Sequence, residues 1–181
     1  MIKSSLINKE FYKSKRVFVT GHTGFKGAWL SMILNELGVI TRGYALTPEK
    51  DCLFEKINGE KYIDSIIGDV RDVDKLKDAL TNFKPEIVFH LAARAIVQDC
   101  FNNPPDAYST NIMGTVNLFE SIRECVSVKS VVIITTDKVY ENKGDNAQAQ
   151  IGTLVQQDKE HIESLKEEIK FLRKMMENKH I

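Results

Sequence analysis

Short apolar runs return along this chain at regular intervals: Val17–Thr20, Val39–Leu46, Tyr62–Gly68, Ile87–Ala92 and Ser130–Thr136. Each is rich in β-branched or aromatic residues and is short, which predicts a strand. Between them, apolar positions recur with helical spacing over Ala28–Leu37, Val73–Phe83 and Asp106–Cys125, and these predict helices. A shorter helical piece, Cys52–Ile57, follows the second strand, and Pro104-Pro105 marks the start of the long helix, because proline is tolerated in a first turn. Strands alternating with helices imply right-handed crossovers and a parallel sheet. Five strands in this arrangement predict an α/β fold, a doubly wound, Rossmann-like parallel sheet of order 3-2-1-4-5. Its ligand would lie over the carboxyl ends of the strands.

After Lys143 the pattern changes. Residues 144–150, Gly-Asp-Asn-Ala-Gln-Ala-Gln, are small and polar and read as a linker, and a heptad follows over 151–181. Val155, Ile162, Ile169 and Met176 share one core position; Ile151, Leu165 and Leu172 share the other, which Asp158 and Lys179 interrupt. Branched residues at the first position with leucine at the second favour a parallel dimer, in which a buried Asp158 fixes register. The same stripe also suits a single helix packed on its own sheet, so the pattern alone leaves both open. The expected organisation is a domain over 1–143, a linker over 144–150 and a long helical tail over 151–181.

The formal net charge is zero and 43% of residues are hydrophobic. That balance gives no electrostatic case for nucleic acid or an anionic membrane surface as partner. No apolar run approaches the roughly 18 residues of a membrane span, and no secretory core is visible, so a cytoplasmic protein is expected. Cys52, Cys100 and Cys125 have neither paired nor metal-ligand spacing and are expected to be reduced and mostly buried.

The candidate chemistry begins where the first strand ends. Thr20-Gly21-His22-Thr23-Gly24-Phe25-Lys26-Gly27 carries three glycines in a G-x-x-G-x-x-G spacing, between a strand and a helix. Strand, glycine turn and helix N-terminus together form a pyrophosphate cradle. Gly21, Gly24 and Gly27 would line it, with Thr23, Phe25 and Lys26 in the same turn. A nicotinamide site usually places Asp or Glu at the end of the second strand to bind the ribose hydroxyls. Here that strand reads Thr41-Arg42-Gly43-Tyr44-Ala45-Leu46-Thr47, without a carboxylate. Arg42 suits either a 2′-phosphate or a surface role, so the residues leave NAD and NADP both open.

Four further segments join the glycine turn: Gly68-Asp69-Val70-Arg71-Asp72, His90-Leu91-Ala92-Ala93-Arg94, Asn111-Ile112-Met113-Gly114-Thr115-Val116-Asn117-Leu118 and Thr135-Thr136-Asp137-Lys138-Val139-Tyr140. In this order they resemble the N-terminal part of the extended short-chain dehydrogenase/reductases, and within them the CDP-glucose 4,6-dehydratases. The resemblance runs over residues 10–143. It implies NAD as cofactor and a nucleotide-sugar substrate. It also implies that Asp69 and Val70 face the adenine and that Ala92, Ala93 and Arg94 run beside the cofactor. Read as residues alone, Asp69 also suits a turn or cap carboxylate, His90 a hydrogen-bonded core histidine, and Asn111 a tie between backbone groups.

Dehydratases of this type oxidise the sugar C4 hydroxyl, eliminate water across C5 and C6, and return the hydride to C6. The resemblance implies that Thr136 polarises the C4 oxygen and Asp137 protonates the departing C6 hydroxyl. Lys138 stands where many related dehydratases carry a glutamate base. The family's Tyr-x-x-x-Lys pair has no counterpart: four residues after Tyr12, Tyr44, Tyr62, Tyr108 and Tyr140 stand Arg16, Pro48, Ile66, Ile112 and Gly144. The expectation is therefore a truncated dehydratase of little or no activity. The alternative is a non-catalytic dinucleotide-binding protein that forms homodimers through its tail.

Overall fold

The computed structural model describes residues 8–135. Thr136, Asp137, Lys138, the linker 144–150 and the heptad segment 151–181 lie outside the described residues.

The first strand, β1 (Arg16–Thr20), runs through the centre of a parallel sheet, and Val17, Phe18, Val19 and Thr20 have no exposed surface. The chain continues through α2 (Phe25–Glu36), β2 (Ile40–Ala45), α3 (Leu53–Lys56) and β3 (Asp64–Ile67), after a short helix α1 (Lys9–Tyr12) that precedes β1. It then forms α4 (Val73–Phe83), β4 (Ile87–His90), α5 (Val97–Asn102), α6 (Pro104–Tyr108), α7 (Gly114–Arg123) and β5 (Ser130–Ile133). The strand order is β3-β2-β1-β4-β5, all pairs parallel. This is the 3-2-1-4-5 order expected from the alternation.

Alternate residues of β1 explain why its apolar run is continuous. Phe18 packs on one face with Tyr44, Leu76, Leu80, Val88 and Leu118. Val17 and Val19 pack on the other with Ala28, Leu34, Phe54 and Ile63. A parallel strand covered by helices on both faces has no polar side to show.

Helix α4 spans the residues its periodicity marks, with the Asp72 side chain accepting from Lys75 N at its start and Lys84 in the left-handed region (φ 53°) at its end. The long helix departs from expectation. It starts at Pro104, capped by the Asn103 side chain, and a π-helical turn over Ser109–Met113 separates α6 from α7. Helix α5 before it is six residues long and has no buried residue, too short for periodicity to announce it. Strands β2 to β5 are shorter than their apolar runs, because only positions facing a neighbour join the ladder, whereas β1 begins one residue before its run, at Arg16. The cysteines are free, but only Cys125 is buried. Cys52 and Cys100 are partly exposed, because they sit at the start of α3 and on α5, a helix that buries nothing.

Candidate functional site

At the end of β1 the chain turns through Gly21 at φ +76°, and the Gly21 amide donates to the Tyr44 carbonyl at 2.9 Å. A Cβ at Gly21 would lie 2.7 Å from Ala92 N, so both the turn and the close approach of β4 require glycine. Gly27 serves a different contact: a Cβ there would lie 2.6 Å from His22 Cα, which seats the first turn of α2 on the strand end. Gly24, exposed at the rim, is the cap residue of α2 and supplies no side chain to it. Ala28 N donates to Gly24 O at 2.9 Å, while the amides of Phe25, Lys26 and Gly27 have no acceptor among the described residues. Three unpaired amides and the positive end of a 12-residue helix make a place for an anion. No acidic residue occupies that first turn.

The side chains of the turn divide by direction. Thr23 is buried and its hydroxyl donates to Leu46 O at 3.0 Å, tying the turn to the end of β2. Phe25 and Lys26 are exposed. The His22 ring is buried, 2.7 Å through Nε2 from Ser65 Oγ and edge-on to Phe54. Burial lowers its pKa to about 4, so the ring is neutral at pH 7.

The end of β4 abuts this cradle. His90 is buried, with Nδ1 2.6 Å from Thr20 Oγ1 and Nε2 3.0 Å from Thr115 Oγ1. Burial lowers its pKa to about 4 as well. It is the hydrogen-bonded core histidine expected from its place at the end of an apolar strand. Beyond it, Ala92 is partly buried, and Ala93 and Arg94 are exposed. Asn111, in the π turn, accepts from Arg94 N at 2.7 Å and donates to Arg94 O at 3.1 Å. It ties backbone groups, as its place inside the helix suggests.

On the β3 side, Asp69 belongs to an ion-pair chain. Its carboxylate accepts from the Arg71 amide at 2.9 Å and from the Arg71 guanidinium. Arg71 reaches Asp106 at 2.7 Å, and Asp106 holds Arg94 at 2.7 Å. The hydrogen bonds from Arg71 hold the Asp69 carboxyl below its ordinary range. The helix cap is Asp72, so Asp69 remains a partly exposed acceptor at the carboxyl end of β3. The Val70 side chain points into the core instead, 4% exposed.

Sequence reasoning missed three members of this cluster: Arg71, Asp106 and the buried Tyr44, whose hydroxyl donates to Asp69 O at 3.0 Å. Burial, then the charges of Asp72 and Asp69, push the Tyr44 hydroxyl up to about 12, so it remains a donor. The Gly68–Asp72 segment was visible, but its partner 35 positions on was not.

The two readings of Arg42 separate. Its guanidinium pairs with Asp64 at 2.7 Å and lies 4.8 Å from the Phe83 ring centre. It stands opposite Phe18 in register, in the middle of β2. This engagement fits the surface role. An open cavity of about 280 Å³ lies beside the site between Arg94, Asp99, Cys100, Asn103 and Asp106. No cluster of three metal-ligating side chains occurs among the described residues. No helix among the described residues is long and apolar enough to cross a membrane.

Residues 17–160 match the model of the NAD dependent epimerase/dehydratase family. The chain belongs to this family. The match extends past Lys143 into the segment read as linker and tail. Among curated relatives, the CDP-glucose 4,6-dehydratase of Salmonella typhimurium is 50% identical over 139 residues, covering 76% of this chain and 39% of its own length. The chain thus spans about two fifths of the length of the curated relatives it matches. Among solved structures, UDP-glucose 4-epimerase from Brucella ovis in complex with NAD superimposes with a TM-score of 0.62 at 24% identity, over 71% of this chain and 38% of that one. UDP-glucose 4-epimerase from Thermotoga maritima with UDP-glucose gives 0.59 at 26% identity, over 67% and 38%. The fold is shared with a UDP-glucose 4-epimerase solved in complex with NAD.

Proposed function

We propose that this chain is the dinucleotide-binding part of an NAD-dependent nucleotide-sugar 4,6-dehydratase of the CDP-glucose type. The observation that carries the cofactor reading is the uncapped start of α2, with three unpaired amides over a glycine turn packed on the end of β4. These amides receive the pyrophosphate, and Gly24 leaves room for it at the helix end. Asp69, fixed by Arg71 and ionised, accepts from the adenine amino group at the end of β3. Because Arg42 is engaged with Asp64 in the middle of β2, NAD is favoured over a 2′-phosphorylated cofactor.

The CDP-glucose assignment rests on 50% identity to one relative and on the residues shared with dehydratases of that kind. A bound nicotinamide supplies hydride acceptance and return. By the resemblance, Thr136 would hold the sugar C4 oxygen, and Asp137 would give its proton to the C6 hydroxyl as that group leaves as water. Lys138 stands where many related dehydratases carry a glutamate base.

Calorimetric titration of the 181-residue chain with NAD and with NADP tests the cofactor reading. Binding is expected to be weak, because a missing ribose carboxylate forfeits about 1.5–3 kcal/mol, or roughly 10- to 150-fold in affinity. NAD should bind more tightly than NADP. No heat and no thermal shift with either ligand at millimolar concentration refutes the reading.

A further inference from the structure

The hydrogen bonds around His90 form a chain in which one order of protons satisfies every group. Thr115 Oγ1 donates to Asn111 O at 2.8 Å, which commits its single proton. In that order the contact at 3.0 Å from His90 Nε2 to Thr115 Oγ1 carries its proton on the ring nitrogen. The neutral ring then has Nδ1 as acceptor, and the Thr20 hydroxyl donates to it at 2.6 Å. With its proton used, Thr20 Oγ1 accepts from the amides of Leu91 and Ala92, both at 3.2 Å. At the far end Asn111 holds Arg94 by both its amide and its carbonyl. The chain from the π turn through Thr115, His90 and Thr20 thus pins the segment Leu91–Arg94, which touches the cradle at Gly21.

We infer that Thr115 is a positioning residue for the nicotinamide half of the dinucleotide. It sets the His90 tautomer and so holds the Leu91–Arg94 segment where the cofactor crosses from β1 to β4. This rests on the cofactor reading above, in which adenine lies over β3, because a doubly wound sheet seats the second half of its dinucleotide across the β1/β4 switch point. Removing the Thr115 hydroxyl leaves Nε2–H buried without an acceptor. Transfer of that proton to Nδ1 restores solvation of the ring but turns Thr20 Oγ1 into the target of three donors. Its two lone pairs cannot serve three, and the Ala92 amide, which has no other acceptor among the described residues, loses its hold, while Leu91 N keeps its bond to Thr20 O at 3.1 Å. The adenine-side contacts at α2 and β3 are untouched.

The test compares NAD and ADP binding to the full chain, its Thr115→Val variant and its Thr115→Ser variant by calorimetry. Thr115→Val should weaken NAD about tenfold while ADP stays within about twofold. Thr115→Ser, which keeps the hydroxyl, should bind both like the parent. A purely structural role weakens both ligands together, and that result overturns the inference, as does unchanged NAD binding in Thr115→Val. The ¹⁵N shifts of His90 in the unsubstituted protein give a test that survives misfolding of the variant: an Nδ1-protonated ring overturns it, and an Nε2-protonated ring supports it. If the parent chain binds neither NAD nor ADP, the cofactor reading falls and this inference with it. Intact binding without the selective loss overturns the inference alone.

Discussion

Gly24 and Gly27 stand three residues apart in one motif, yet substituting them should give opposite results. Gly24 has φ −73° and ψ 169°, a conformation open to any residue. A Cβ there would meet only Gly21 O, at 3.4 Å. Gly24→Val should therefore fold, with a stability change of about 1 kcal/mol or less, since replacing a cap glycine costs a few tenths to about 1. Its side chain would occupy the space in front of the unpaired amides of α2, where the proposed pyrophosphate lies. Losing one or two charge-assisted hydrogen bonds at about 1.5–3 kcal/mol each weakens NAD by roughly tenfold to several-hundredfold.

Gly27→Ala meets rigid backbone instead, 2.6 Å from His22 Cα and 2.9 Å from Gly21 C. Neither atom can swing aside, so overpacking costs about 1–3 kcal/mol or more. That lowers the melting temperature by about 2–4 °C per kcal/mol for a chain of this size. Circular dichroism melts and NAD titration on both variants read the contrast. The reasoning is refuted if Gly24→Val binds NAD like the parent, or if its melting point falls as far as that of Gly27→Ala.

The 181 residues on their own should form no 4-keto-6-deoxy product from CDP-glucose at ordinary turnover, because they hold no Tyr-x-x-x-Lys; a proton-transfer group contributes about 10²–10⁴-fold, and product at an ordinary rate by chromatography disproves this. The heptads over 151–176 should give a dimeric mass by light scattering at micromolar concentration and a monomer for a chain ending at Lys143; a monomeric full chain disproves the parallel pair. Stability should be complete above pH 6.5 and fall towards pH 4, since His22 and His90 are lowered from 6.5 to about 4 in the fold and protonate first in the unfolded chain. The loss approaches about 3 kcal/mol per histidine across that window, above the range in which Asp69 titrates, its carboxyl being lowered from 3.8. Denaturant melts at pH 7.5 and 4.5 that agree within error rule this out.

What the linear chain determined is whatever repeats or clusters locally. Apolar runs of strand length alternating with helical stripes were enough for the order β3-β2-β1-β4-β5, because right-handed crossovers leave few alternatives. Three glycines at the junction of a strand and a helix located the turn that leaves the first amides of α2 unpaired, because such a junction has a local signature. His90 could be read as a core histidine from the apolar strand it ends, and Asn111 as a backbone tie from its place inside a helix.

Tertiary structure decided what depends on residues distant in sequence. Asp69 could be a cap or a ligand until Arg71 and Asp106 were seen to hold it. Arg42 could serve a phosphate or the surface until its register opposite Asp64 was known. The π turn and α5 stayed hidden because each is too short to display a period and neither has a buried residue. The proton order from Asn111 through Thr115 and His90 to Thr20 needs groups from β1, β4 and α7 within hydrogen-bonding distance at once. Periodicity reports which face of an element is buried, whereas a hydrogen bond is set by distances of a few tenths of an ångström between elements that only the packed fold brings together.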